Sequence, residues 1–238
     1  MKKNIAIVIT RLDLGGAQKT ALALAEKLDR KKFSVHLIAG QGGYLDAEAV
    51  RIKGIKIVLM DSIKHHISPF NDIKAVFALK KYFIENKIDI VHTHSSKAGI
   101  LGRKAAWLAG VKTVFHTVHG FPFHEYQNFF IKTAYVFLER IFARLTTKLI
   151  AVGYDIVEYG LKNRVGSREQ YAIIRAGIDI KSVRRAGVNK AVYLRNAGLK
   201  PGNFTVGMIG NLKKQKNPLE FVEVAVKTRE KDRDIQFI

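Results

Sequence analysis

Asn4 to Lys19 read NIAIVITRLDLGGAQK: an apolar run from Ile5 to Thr10, a turn carrying Gly15 and Gly16, and then Thr20 to Leu28, TALALAEKL, at helical spacing. The apolar run has little polar alternation, which is what a strand covered on both faces requires. A strand that feeds a helix through a glycine turn is the opening of a parallel α/β sheet. The first turn of a helix carries free backbone N–H groups and a partial positive charge, and glycine lets an anion come close to them. The turn is not G-x-G-x-x-G, and GGAQKT lacks the Lys-Ser/Thr pair at Walker-loop spacing. Two readings therefore stand, a tight turn and a phosphate-binding turn.

Outward from this stretch the same alternation continues. Strand-like runs recur at SVHLIAG, KIVLM, IDIVHTH, TVFHTV, KLIAV and YAIIR. Helical patterns fall between most of them, such as Ile73, Val76, Phe77, Lys80, Phe83 and Ile84, and then Ile100, Leu101, Ala105, Leu108 and Ala109. The fold class expected is an α/β protein with a Rossmann-like parallel sheet whose ligands bind beyond the carboxyl ends of the strands.

Composition changes after Arg175. Residues 176–202 are polar and basic with a short helical stretch at Val192 to Ala197, and the turn LKPGN starts a second pattern: strand at Phe204 to Ile209, loop NLKKQKNP, helix at Leu219 to Thr228, strand at Asp234 to Ile238. The division expected is 1–175 as one Rossmann-like domain, 176–202 as a linker and 203–238 as the incomplete start of a second such domain. Two strands and one helix do not make an independently stable sheet.

The chain has 238 residues, 47% hydrophobic, enough to bury a core, and no apolar run reaches the roughly 18 residues of a membrane-spanning helix. With no cysteine, disulfides and thiolate metal sites are excluded, and a cytoplasmic location is expected. Against 20 Asp and Glu stand 41 Lys and Arg, a net charge of +21 spread over many small groups. Such a field suits phosphorylated small molecules, an anionic membrane surface or nucleic acid, or is a basic surface without a partner. Nucleic acid ranks last, because no recognition motif is present and the cations are not gathered on one element. In Tyr126 to Leu149, Phe129, Phe130, Phe137, Leu138, Ile141 and Phe142 are interleaved with Lys132, Arg140 and Arg144. That pattern reads first as a core helix and second as a lipid-facing one.

Histidines mark the ends of two strands: His92 and His94 in IDIVHTH, His116 and His119 in TVFHTVHG. Parallel strands deliver these imidazoles to the same sheet edge as the glycine turn. Each singly reads as a hydrogen-bonded core residue, whereas the four together suggest a polar pocket. No carboxylate accompanies them, so a zinc site is not expected.

RLDLGGAQKTALALAEKL, DIVHTHSSKAGILGRKAAWLAGVKTVFHTVHGFPFHE, LERIFARLTTKLIAVG, IIRAGID and VGMIGNLKKQKNPLEFVEVA, in that order, closely resemble the family-4 retaining glycosyltransferases of the GT-B fold. The likeness covers almost the whole chain and is greatest to the bacterial branch that builds capsules, exopolysaccharides and lipopolysaccharide. The resemblance implies two Rossmann-like halves, the first for the acceptor and the second for most of a nucleotide-diphosphate sugar donor. It implies no cofactor, and localisation in the cytoplasm with peripheral attachment to the inner face of the membrane. By matching position, His119 would be the active-site histidine near the transferred sugar. Gly15 and Gly16 would approach the donor diphosphate, and His94, Ser95 and Lys97 would line the acceptor side.

In the second half GNLKKQK matches the family's G-R-L-x-x-x-K loop, with Lys216 at the lysine position. Asn211 stands where arginine is usual, so Lys213 or Lys214 would supply the missing phosphate contact. The family's E-x7-E pair, which holds donor sugar and ribose, would follow Ile238. The resemblance thus implies a glycosyltransferase in cell-surface glycan synthesis, truncated in its donor-binding domain and inactive as this chain alone. The alternative function is a non-catalytic fragment that binds anions or a membrane surface.

Overall fold

The computed structural model describes residues 2–178, 180, 187, 189–210, 212 and 216–238. These fall into two compact units, Met1–Gly177 and Ile178–Ile238. The candidate phosphate-loop residues Asn211, Lys213 and Lys214 lie outside the described residues.

The first unit is a seven-stranded sheet, all parallel, in the order β3-β2-β1-β4-β5-β6-β7. Its strands are β1 (Lys3–Arg11), β2 (Phe33–Gly40), β3 (Ile55–Met60), β4 (Ile90–His94), β5 (Thr113–Val118), β6 (Lys148–Ala151) and β7 (Tyr171–Ile173). The helices between them are α1 (Gly16–Lys27), α2 (Asp46–Val50), α3 (Pro69–Glu85), α4 (Ser96–Leu108), α5 (Phe129–Ala143) and α6 (Tyr154–Lys162). All seven apolar runs of the sequence are strands of this sheet.

From β1 the chain winds outward through α1, β2, α2 and β3; α3 then carries it back to β4, and the remaining strands wind the other way. Right-handed crossovers put α1 and α2 on one face and α3, α4 and α5 on the other. Two hydrophobic clusters follow: Leu22, Ala21 and Ala25 of α1 with Ile7, Ile9 and Leu37 on one face, and Ala75, Leu79 and Phe83 of α3 with Ala6, Val8 and Leu101 on the other. The reversal falls between β1 and β4, which is where such sheets open a crevice.

Helix α4 buries Leu101 and Arg103 together with a row of small residues, Ala98, Gly99, Gly102, Ala105 and Ala106. A Cβ on Gly99 would come 2.5 Å from His116 Cε1, and one on Gly102 2.6 Å from Thr93 Cγ2. Any side chain there would push the helix outward.

Helix α5 buries Val136, Glu139 and Ala143. Its aromatic stripe does not all go inward as a core helix would require: Phe129, Phe130 and Phe137 are 73%, 78% and 60% exposed. The reason is the slimness of the inner face, which needs only a valine, an alanine and an ion-paired glutamate to meet α4. Among the described residues no helix is long and apolar enough to cross a membrane.

In the second unit β8 (Thr205–Val206) pairs in parallel with β9 (Gln236–Phe237), with helices at Lys190–Asn196 (α7) and Pro218–Lys231 (α8). The rings of Phe221 and Phe237 meet edge to face at 5.8 Å, and Gln236 bonds through its side chain to both N–H and C=O of Lys200. Helix α7 lies inside the stretch expected as linker.

Candidate functional site

The carboxyl ends of β1 and β4 meet at a knot of hydroxyls. Ser95, directly after β4, runs through φ 61°, ψ 154°, a region that side-chain-bearing residues rarely occupy. Its Oγ is 2.7 Å from Thr10 Oγ1, and it accepts from the Thr10 N–H at 3.3 Å. Thr10 Oγ1 in turn accepts the N–H of Ala98 in the first turn of α4. The sharp turn from strand to helix is held in place by β1, across the reversal point of the sheet.

Lys97 is fixed in the same turn. It pairs with Asp72 at 2.6 Å and donates to the carbonyl of His66, which ties α4 to the start of α3. It is therefore mostly covered, and at this edge it serves to anchor the 65–72 segment.

The glycine turn is different in kind. Gly15 is the N-cap of α1 with φ −172°, ordinary extended backbone, and no side chain caps the helix. A Cβ on Gly15 would meet only the flexible end of Gln18, and one on Gly16 would meet nothing within 4 Å. Neither backbone geometry nor packing within the protein demands glycine here. What the two glycines leave is open space in front of uncapped N–H groups, with no acidic residue in the first helical turn.

The four histidines do not line a pocket together. His92, His94 and His116 are buried, and His119 alone is partly exposed. Period-two alternation in two central strands with both faces covered leaves no outward face for the first three. Each is bonded instead: His92 Nε2 to Thr117 Oγ1 at 2.7 Å, His116 Nδ1 to Thr93 Oγ1 at 2.9 Å, and His94 Nδ1 to His119 Nε2 at 3.1 Å. The His94 ring is sandwiched, stacked on His92 at 4.5 Å and on His119 at 5.4 Å between centroids.

Burial lowers the pKa of all four. His92 falls to about 4, through burial and then the neighbouring His119; His94 falls well below the usual range for the same reasons, with His92 adding to them. His116 is lowered by burial, then by the Arg103 guanidinium, and His119 by burial. Among the described residues no three His, Asp or Glu side chains converge on a metal position.

Beside His116 lies an ion pair with little sign in the sequence. Arg103, fully buried on α4, bonds Glu139 of α5 at 2.8 Å and the Gly99 carbonyl at 2.7 Å, and stacks over Phe142. An arginine in a helical pattern reads as solvated, and only the Gly99 and Gly102 spacing hints that this helix has no solvated side. Breaking such a pair leaves one buried charge uncompensated, which costs about 3–5 kcal/mol. Lys216 belongs to the second unit and is exposed.

Residues 14–182 match the family described as Glycosyltransferase Family 4. The chain is 37% identical over 217 residues to the UDP-Gal:alpha-D-GlcNAc-diphosphoundecaprenol alpha-1,3-galactosyltransferase of Escherichia coli, covering 89% of this chain and 54% of that protein. It is 22% identical over 200 residues to the capsular polysaccharide biosynthesis glycosyltransferase CapM of Staphylococcus aureus, covering 83% of this chain and 51% of CapM. It thus spans about half the length of these curated relatives. Among solved structures, HepE of Anabaena in complex with UDP and glucose superposes with a TM-score of 0.69 at 13% identity, over 99% of this chain and 69% of HepE. That likeness concerns the fold, which is of the GT-B type. A family match across residues 14–182, carried by relatives in bacterial glycan synthesis, makes this chain a member of glycosyltransferase family 4.

Proposed function

We propose that the chain forms the acceptor-side half, and the beginning of the donor-side half, of a retaining glycosyltransferase that moves a sugar from a nucleotide-diphosphate sugar to a lipid-linked or polysaccharide acceptor. The observation that carries this reading is that a partly exposed His119, bonded to His94 at the end of β4, shares a sheet edge with the open, uncapped turn at Gly15 and Gly16 that follows β1. The 37% identical relative is named for transfer to a diphosphoundecaprenol-linked sugar, which points to a lipid diphosphate-linked acceptor here.

In the proposed reaction the bond from the anomeric carbon to the donor diphosphate breaks and a bond to the acceptor oxygen forms on the same face. The acceptor proton passes to a leaving phosphate oxygen. Negative charge grows on the diphosphate as the bond breaks, so fixed N–H groups at Gly16 and Ala17 would stabilise the transition state more than the ground state. His119 would contact the transferred sugar. No resident cofactor or metal enters this scheme.

An anionic membrane surface is the proposed setting, at the inner face of the cell membrane. Support comes from the +21 charge and from two helices that present apolar side chains outward beside lysines and arginines: Phe70, Ile73 and Phe77 with Lys74 and Lys81 on α3, Phe129, Phe130 and Phe137 with Arg140 on α5. Both helices run antiparallel to the strands, so Phe70 and Phe129 stand at the edge that carries His119.

The test joins this chain to the carboxyl-terminal remainder of the E. coli relative and supplies radiolabelled UDP-galactose with a GlcNAc-diphospho-polyprenol. Transfer with retained configuration is expected, and its loss in His119→Ala. A folded chimera that transfers no sugar from any nucleotide donor, or one fully active without His119, overturns the proposal.

A further inference from the structure

His94 is 1% exposed and lies directly behind His119. Its Nδ1 faces His119 Nε2 at 3.1 Å, while its own Nε2 is buried and has no hydrogen-bond partner among the described residues. A neutral imidazole carries one proton, on one of its two nitrogens. Were it on Nε2, a buried N–H would have no acceptor, a defect that native proteins almost never tolerate. On Nδ1 it is donated to His119, and what stays unfilled at Nε2 is a lone pair, the cheaper defect. Sandwiching between two imidazoles in the interior keeps His94 from taking a second proton.

The donor in the pair is therefore His94, and the acceptor is His119 Nε2. A neutral His119 must then hold its proton on Nδ1, the nitrogen for which no bond is recorded among the described residues. We propose that His94 is a positioning residue that locks His119 in its Nδ1–H tautomer, so that the site presents an N–H donor to a ligand oxygen, a sugar hydroxyl or a phosphoryl oxygen, and not a base. With Nε2 occupied and Nδ1 protonated, His119 has no free lone pair with which to take a proton from the acceptor. This inference rests on the reading of His119 as the site histidine, but its test does not depend on transfer.

Long-range nitrogen–proton correlation spectra of the histidine-labelled chain at pH 7.5 report the tautomer of each ring, with His119 assigned by the signals missing in His119→Ala. The expected result for the unsubstituted chain is a single neutral form of His119 with the proton on Nδ1. In His94→Phe, which keeps the stacked ring but removes the donor, the His119 signals are expected to move to the averaged values of a free imidazole. In His94→Asn, whose amide N–H falls near the position of Nδ1, they are expected to return. A proton on His119 Nε2 in the unsubstituted chain overturns the proposal without any variant. An unchanged tautomer in a folded His94→Phe overturns it as well. If the Nδ1–H form is found but the chimera is fully active as His119→Ala, the functional reading fails while the tautomer lock stands.

Discussion

Ser95 pays for its place with its backbone. A side chain at φ 61°, ψ 154° costs roughly 1–3 kcal/mol, and its hydroxyl bonds to Thr10 return about 1 kcal/mol each. The two terms separate by substitution. Ser95→Ala keeps the strain and loses the bonds, so urea unfolding is expected to show a loss of about 1–3 kcal/mol, whereas Ser95→Gly loses the bonds but relieves the strain and is expected to be nearly neutral. If glycine proves as damaging as alanine, strain is not what the turn stores. Nothing in HTHSSK announces this geometry, because a serine after a strand reads as an ordinary helix cap; the φ value belongs to the tertiary contact with Thr10.

Among the helices of the first unit, α3 and α5 leave phenylalanines outside: Phe70 and Phe77 on α3, and Phe129, Phe130 and Phe137 on α5. Each fully buried phenylalanine is worth about 1.5–3 kcal/mol, and a lysine or arginine at an anionic bilayer up to about 1 kcal/mol. The doubles Phe70→Ser/Phe77→Ser and Phe129→Ser/Phe130→Ser are each expected to weaken sedimentation with phosphatidylglycerol vesicles by about tenfold or more, since 1.4 kcal/mol is one decade. Binding to anionic vesicles should weaken with salt and be absent on phosphatidylcholine. Equal binding to both lipids, or no change in either double variant, would remove lipid docking by these helices. The strands were legible because two covered faces demand unbroken apolar runs. The outward aromatics of α5 were not, since periodicity marks a stripe without saying which side of a helix is the thin one, and Arg103 and Glu139 were hidden because burial of a pair depends on two helices meeting.

For the whole molecule, buried neutral histidines make stability depend on pH. His92 titrates near 6.5 when unfolded and at about 4 when folded, so the unfolded chain binds the proton first. Its contribution is intact above pH 6.5 and is lost as pH falls towards 4, at about 1.4 kcal/mol per pH unit. His94 and His116 shift in the same direction. Urea unfolding followed by ellipticity should give a free energy that falls between pH 6.5 and pH 5, before most carboxylates titrate; a level profile across that window would mean these rings are not held neutral. The sequence showed that histidines gather at one edge, but their fate as interior bonds rather than pocket lining depends on strand register, with His92 opposite Phe115 and Thr93 opposite His116.

The sheet order has a consequence during synthesis. β1 leaves the ribosome before both of the strands it pairs with yet lies inside the sheet, paired with β2 nearby and with β4 only across 85 residues, at Ile5 and Ile90. One side of β1, carrying Ala6 and Val8, packs against residues of α4 such as Leu101 and Ala105. Until α3 and then α4 have emerged, the latter at Leu108, a nascent chain that has already joined β1 to β2 leaves that apolar side wholly or partly open to solvent. At 5–20 residues per second the interval from Gly40 to Leu108 lasts roughly 3–14 s. Over those seconds the growing polypeptide is a substrate for holdase chaperones, and a pause in translation within the α3 codons would lengthen its exposure to aggregation.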